Sequence, residues 1–226
     1  MANPQHPLVR CRKATDANHP HCDFEWRIER LDGVPVLCIG DLMLDRFVYG
    51  TVDRISPEAP IPILRIAQES AMLGGAGNVV RNLVALGSKA VFVSVVGDDR
   101  PGREVTGLIA ESAEIEPYVS VERGRKTTIK TRYIAGGQQL LRADQETVDP
   151  VSATVLDDLT RVAVADVVET GAAILSDYGK GVLSPDLIAA VVAACEKAGK
   201  PVVVDPKGVD FSRYRGAGVL TPNRVE

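Results

Sequence analysis

The sequence repeatedly sets acidic and basic side chains just after short apolar runs. "VPVLCIGD" (34–41) ends on Asp41, and "GDLMLD" adds Asp45. "AVFVSVVGDD" ends on Asp98 and Asp99, and "AAILSDYGKG" carries Asp177 and Lys180. "PVVVDPKG" carries Asp205 and Lys207, and "GVLTPN" ends on Asn223. A carboxylate is a strong acceptor for paired hydroxyl donors, and a lysine ammonium neutralises phosphate as a point charge. Together these groups suit a polyhydroxylated, phosphorylated ligand. Each one alone also reads as a solvated loop charge; the recurrence is what points to a site.

Two further stretches carry chemistry. "LGGAGNVV" (73–80) is a glycine-rich loop opening a helix. Gly74 and Gly75 let a ligand approach the backbone closely, and amides at a helix start donate to ligand oxygens. Asn78 both donates and accepts, which suits sugar hydroxyls. The dinucleotide fingerprint is broken, because Val80 stands where its third glycine belongs, and no Walker A loop occurs. A tight strand-to-helix turn explains the glycines equally well. In "TPNRVE", Asn223 and Glu226 share one face of a nascent helix. Glu226 there suits a magnesium ion, directly or through water, or a capping box with Asn223.

The three histidines, His6, His19 and His21, all precede residue 23. Acid–base chemistry in the rest of the chain therefore falls to carboxylates, lysine, cysteine or tyrosine. The four cysteines contain no CxxC pair. Cys38 and Cys195 sit in apolar segments and read as buried small hydrophobes. Cys11, His19, His21 and Cys22 match no standard zinc spacing.

These groups need a frame. Continuous apolar runs at 34–41, 90–97, 172–176, 201–205 and 218–220 read as buried parallel strands. Helices are expected at 75–87, 101–113, 151–169 and 184–199. The last is well marked, with Ser184 as cap, Pro185 at the first position and Gly199 as stop. Strands at about 47–67 and 127–143 break the alternation and suggest a separate small sheet, with a hairpin turn at Gly136-Gly137. The fold class is α/β: a Rossmann-like, mostly parallel sheet with helices on both faces, plus a small β-sheet lid. Residues 1–33 are polar and aperiodic and read as a flexible extension; residues 34–226 form the domain. Of the 226 residues, 45% are hydrophobic and 25% charged, and the net charge is -4. That charge gives no footprint for nucleic acid. No apolar stretch is long enough to span a bilayer and the N-terminus has no signal-peptide core, so a cytoplasmic protein is expected.

Taken in order, these stretches resemble the ribokinase-like (PfkB) carbohydrate kinases, with "GGAGNVVRNLVALGSKAVFVSVVG" matching that family's N-terminal signature. "GDLMLDRFVYGTVDRISPEAPIPIL", "LSDYGKGVL", "QQLLRAD" and "DPKGVDFSRYRGAGVLTPN" narrow the resemblance to the D-glycero-β-D-manno-heptose 7-phosphate kinases. The resemblance implies phosphorylation of the anomeric hydroxyl of the sugar phosphate by ATP with Mg2+, and a homodimer through the lid. It implies that Asp41, Asp45, Gly74, Gly75, Asn78, Lys180, Arg132 and Arg142 bind the sugar phosphate. Asp205, Lys207, Asn223, Arg224, Val225 and Glu226 would lie beside ATP, with Glu226 at the metal. It also implies that the family's Gly-Ala-Gly-Asp motif, with its general base, lies beyond Glu226. On that expectation the chain lacks the C-terminal part of the domain, holds no catalytic residue, is inactive alone and exposes a sheet edge. Two alternatives stay open: a kinase for another sugar or sugar phosphate of the same family, and a non-catalytic sugar-phosphate-binding module.

Overall fold

The computed structural model describes residues 33–224. The extension up to residue 32, the Cys11, His19, His21 and Cys22 group, and Val225 and Glu226 lie outside the described residues. The elements run β1 (Pro35–Gly40), β2 (Leu42–Ile55), β3 (Pro62–Gly75), α1 (Ala76–Ala85), β4 (Lys89–Gly97), α2 (Arg100–Ala110) and β5 (Ile115–Glu122). There follow β6 (Thr128–Ala135), β7 (Gln138–Gln145), α3 (Ala153–Asp166), β8 (Ala172–Ser176), α4 (Pro185–Ala198), β9 (Val202–Asp205) and β10 (Val219–Leu220). A six-stranded sheet has the order β10-β9-β8-β1-β4-β5, and every pair in it is parallel. A second, mixed sheet has the order β3-β2-β6-β7.

Both faces of the parallel sheet are covered, which is why its inner strands read as unbroken apolar runs. Leu37, Ile39, Val91, Val93 and Val95 pack with Leu159 of α3 and Leu187, Ile188 and Val191 of α4. Their strand neighbours Cys38, Ala90, Phe92 and Val96 face the other way, onto Val80 of α1 and Val105 and Ile109 of α2. Val80, the residue that breaks the fingerprint, is fully buried there. Burial pushes the Cys38 thiol up to about 12, so it is a packing residue and not a nucleophile. Among the described residues no helix is long and apolar enough to cross a membrane.

The helix signals behave as their chemistry requires. The Ser184 hydroxyl accepts from the Leu187 amide at 3.2 Å, Pro185 opens α4, and Gly199 closes it with φ 67°. Gly136 and Gly137 both have positive φ, as the tight β6–β7 hairpin needs. Two elements differ from the sequence expectation. The first lid strands are longer than their apolar cores suggest: β2 starts at Leu42, directly after β1, and β3 runs on to Gly75. Asp45 is therefore a strand residue, not a loop residue. The second difference is β5, which adds a parallel edge strand that the mixed polarity of "IEPYVSVE" and Pro117 conceal; only an edge tolerates that proline.

The smaller sheet is pinned to the larger by Asp99. Its carboxylate caps α2 by accepting from the Gly102 amide at 2.8 Å. It also accepts from the Thr127 amide at 2.9 Å and the Thr127 hydroxyl at 2.7 Å, just before β6. Burial works to raise the Asp99 pKa, but these donors outweigh it and hold the group below its ordinary value of 3.8. A depressed pKa means stability that is present above the unfolded-state value and is lost as pH falls through the folded-state value. Asp99→Ala is expected to cost roughly 2 kcal/mol at neutral pH. Measured by urea unfolding, its gap to the wild type should shrink as pH drops below about 4.

Candidate active site

Because all six strands of the larger sheet run the same way, their carboxyl ends share one edge. Asp41, Asp98 and Asp99, Asp177, Asp205 and the segment around Asn223 all follow strands on that edge. In open α/β sheets this is where ligands bind.

At the centre of the edge, Asp41 is only 1% exposed. Its Oδ2 accepts from the amides of Tyr178 at 2.8 Å and Lys180 at 3.1 Å, and its Oδ1 from Val182 at 3.2 Å. Burial raises the Asp41 pKa, the three amides oppose that, and the charge of Asp177 adds to the rise. Its two oxygens thus carry three hydrogen bonds from the backbone of the loop after β8. The Asp41 carbonyl accepts from Ala76 N at 3.0 Å, so the same residue fixes the start of α1. Gly75, at φ 56°, passes so close to that carbonyl that a Cβ would collide with it.

The loop after β8 meets the loop after β9. A Cβ on Gly179 would stand 3.5 Å from Lys207 Cγ, so Lys207 lies across the residue preceding Lys180. Asp177, also buried, accepts from the Gly179 amide at 2.8 Å and from the Tyr214 hydroxyl at 2.7 Å. Asp205 ends β9 half-buried, and Lys207 is exposed. Asn223 and Arg224, beyond the edge strand β10, are exposed as well.

On the lid, Asp45 accepts from Arg132 Nη1 at 2.6 Å, and the Arg132 guanidinium lies 5.2 Å from the centre of the Phe47 ring. Gly74 makes room for this pair: a Cβ there would sit 2.8 Å from Asp45 Cγ. Arg142 is the Cα partner of Arg132 on β7, but its Nε is bonded to Asp144 at 3.0 Å. Asn78 is exposed on the first turn of α1. Lid and strand tips also meet at Lys180. Lys180 Nζ is 2.8 Å from Glu146 Oε2, just past β7. The half-buried Tyr178 phenol has its pKa raised by burial first, with the charges of Asp205 and Asp45 also acting on it.

The described residues thus place a carboxylate–arginine pair, Asp45 and Arg132, on the lid and two lysines, Lys180 and Lys207, on adjoining loops at the strand tips. Sequence reasoning missed Tyr178, Phe47, Tyr214 and the buried role of Asp177. A tyrosine between Asp177 and two glycines was the one available signal. Among the described residues no group of three Asp, Glu, His or Cys side chains is placed to hold a metal. A cavity of about 510 Å³ lined by Arg46, Glu69, Arg100 and Glu104 opens on the opposite face of β2 from Asp45.

The family model for pfkB family carbohydrate kinases matches residues 35–226. The bifunctional protein HldE of Paramagnetospirillum magneticum is 58% identical over 200 residues, covering 88% of this chain and 41% of the relative. That of Rhodospirillum rubrum is 53% identical, covering 88% and 40%. The chain thus spans about two fifths of the length of these relatives. Among solved structures, Arabidopsis thaliana ribokinase complexed with ribose and ATP aligns with TM-score 0.60 at 18% identity, covering 85% of this chain and 61% of that one. The tetrameric inhibited form of phosphofructokinase-2 from Escherichia coli aligns with TM-score 0.59 at 20% identity, covering 85% and 62%. At these identities the structures establish a ribokinase-like fold.

The glycines give a direct check on the loop after β8. Gly181 has φ 91°, and a Cβ there would lie 2.8 Å from the Asp149 carbonyl carbon. Gly107, inside α2, has open space around it. Gly181→Ala should lower stability by about 2 kcal/mol or more. Gly107→Ala should raise it by roughly 0.5–1 kcal/mol. Thermal melting of both variants reads the contrast.

Proposed function

This chain belongs to the pfkB family of carbohydrate kinases, and we propose that it is the sugar-binding part of a heptose-phosphate kinase. The reaction is transfer of the γ-phosphoryl group of ATP to the anomeric hydroxyl of D-glycero-β-D-manno-heptose 7-phosphate. The product is the 1,7-bisphosphate, used in the cytoplasm for ADP-heptose and lipopolysaccharide core synthesis. The observation that carries this reading is the joining of the lid, which bears the Asp45–Arg132 pair, to the adjoining Lys180 and Lys207 loops through the Lys180–Glu146 ion pair. The identity to HldE proteins and the long motifs shared with heptose kinases support the choice of sugar.

In this reading Asp45 accepts from sugar hydroxyls, and Gly74, Gly75 and Asn78 line the same pocket. Arg132, Arg142 and Lys180 take the 7-phosphate. Asp205, Lys207, Asn223 and Arg224 face ATP, and the proposal extends that role to Val225 and Glu226. Asp41 holds the loop that carries Lys180. Phosphoryl transfer depends on alignment and charge neutralisation more than on covalent chemistry by the protein, and these residues supply both for the acceptor. Deprotonation of the acceptor hydroxyl is proposed for the aspartate of the family's Gly-Ala-Gly-Asp motif, which these 226 residues do not contain. A homodimer contact is proposed on the lid, where Ile55 is 60% and Leu141 58% exposed.

An ADP-coupled assay on the protein at the full length of its relatives tests the reading. Heptose 7-phosphate should turn over well ahead of a panel of hexose, pentose and ketose phosphates. Preference for another sugar would reassign the substrate, and tight calorimetric binding without turnover would favour a binding module. Asp45→Asn leaves Arg132 without its charge partner and is expected to lower kcat/KM for the sugar by about 10- to 100-fold. The KM for ATP should change little.

A further inference from the structure

One chain of buried hydrogen bonds runs beneath both lysine loops. The Lys207 amide donates to the Tyr214 hydroxyl at 3.2 Å, and that hydroxyl donates to Asp177 Oδ2 at 2.7 Å. Asp177 Oδ1 accepts from the Gly179 amide at 2.8 Å. Beyond Gly179, the next amide along, that of Lys180, is held by Asp41. Tyr214 itself is almost wholly buried, in a short 3₁₀ turn (Ser212–Tyr214) between β9 and β10. Its ring has the Arg213 guanidinium 5.3 Å from its centre, and Arg213 Nη2 stands 3.6 Å from Asp177 Oδ2.

We propose that Tyr214 is a positioning residue whose hydroxyl sets the Lys207 loop against the Lys180 loop, and so sets the spacing of the two phosphorylated ligands. This rests on the reading of Lys180 and Lys207 as phosphate-facing residues. Only a group that accepts on one side and donates on the other fits between an amide and a carboxylate. A phenol does so here without changing charge, since burial first and Asp177 next push its pKa up to about 12. A phenylalanine would fill the same space and leave the Lys207 amide and one Asp177 oxygen without these partners. The β9–β10 connection would then keep the tie of Arg213 to the Leu183 carbonyl in the loop after β8 but lose the one that reaches Lys207, while the apolar packing of the ring stayed in place. In phosphoryl transfer a small misplacement of one phosphate-binding group is felt in the rate.

The test is a double-mutant cycle in the full-length enzyme with Tyr214→Phe and Lys207→Ala, read as kcat/KM for ATP at a temperature well below melting. Tyr214→Phe alone should lower that value by about threefold to tenfold. In the Lys207→Ala background the same substitution should have almost no further effect, because the hydroxyl acts through Lys207. Additive effects, or a Tyr214→Phe variant that melts earlier yet keeps wild-type kinetics, would reduce Tyr214 to a purely structural residue and overturn the proposal. If Lys207→Ala alone leaves the kinetics unchanged, the assignment of Lys207 to ATP is what fails, and the positioning role falls with it. Should Tyr214→Phe not fold, Asp177→Asn enters the same cycle. Its amide keeps the shape and weakens the same chain, and additivity there counts equally against the proposal.

Discussion

A single buried carboxylate organises the candidate site. Asp41 sits at the end of the central strand β1, and an ionised carboxylate there without partners would be far too costly. Its side chain therefore gathers three amides from the loop after β8, while its carbonyl takes the first amide of α1. The glycine-rich loop and the Lys180 loop are thus referenced to one residue. Gly75 follows from this, because its lack of a side chain and its left-handed conformation allow the chain to pass the Asp41 carbonyl. The neighbouring Asp177 repeats the device with Gly179 and Tyr214.

A second constraint joins the lid to this frame. The segment between β5 and β6 carries Arg125, whose side chain is 6% exposed. Its guanidinium is satisfied by Glu122 at 2.5 Å and by the carbonyls of Lys180 at 3.1 Å and Asp149 at 2.7 Å. Removing a buried charge from water is tolerable only when its donors are met in this way. The consequence is that the root of β6, the exit from β7 and the loop after β8 share one knot. Lys180 then reaches Glu146 above the knot. The lid is attached at the same point where the two halves of the cleft meet, so lid placement and loop placement are not independent.

Parallel strands end in loops whose backbone is fixed from below by buried carboxylates, and the Lys180 side chain is held in addition by Glu146. Asp45 differs: it belongs to the lid, is paired with Arg132 and is backed by the bare Gly74 backbone. The polar side chains of the strand tips and of the lid are thus held by two different means, buried carboxylates under the loops and pairing across the small sheet.

Periodicity and end signals are local, so the sequence by itself determined the parallel strands, the helix bearing Ser184, Pro185 and Gly199, the Gly136-Gly137 hairpin and the resemblance to the PfkB kinases. Apolar runs, capping residues and glycines act within a few residues of themselves, and their meaning survives without tertiary context. The edge strand β5 left no such mark, because an edge strand buries too little to show a pattern. The inner ends of β2 and β3 were hidden for another reason, since β2 follows β1 without a turn signal although Leu42, Met43 and Leu44 are buried. The tertiary structure alone separated two acidic residues that share one short motif. Asp41 and Asp45 look equivalent in "GDLMLD", yet one is sealed beneath backbone amides and the other meets an arginine from a strand 87 residues away. Burial and long-range pairing arise only when distant segments close on each other, and no spacing within one short motif encodes them.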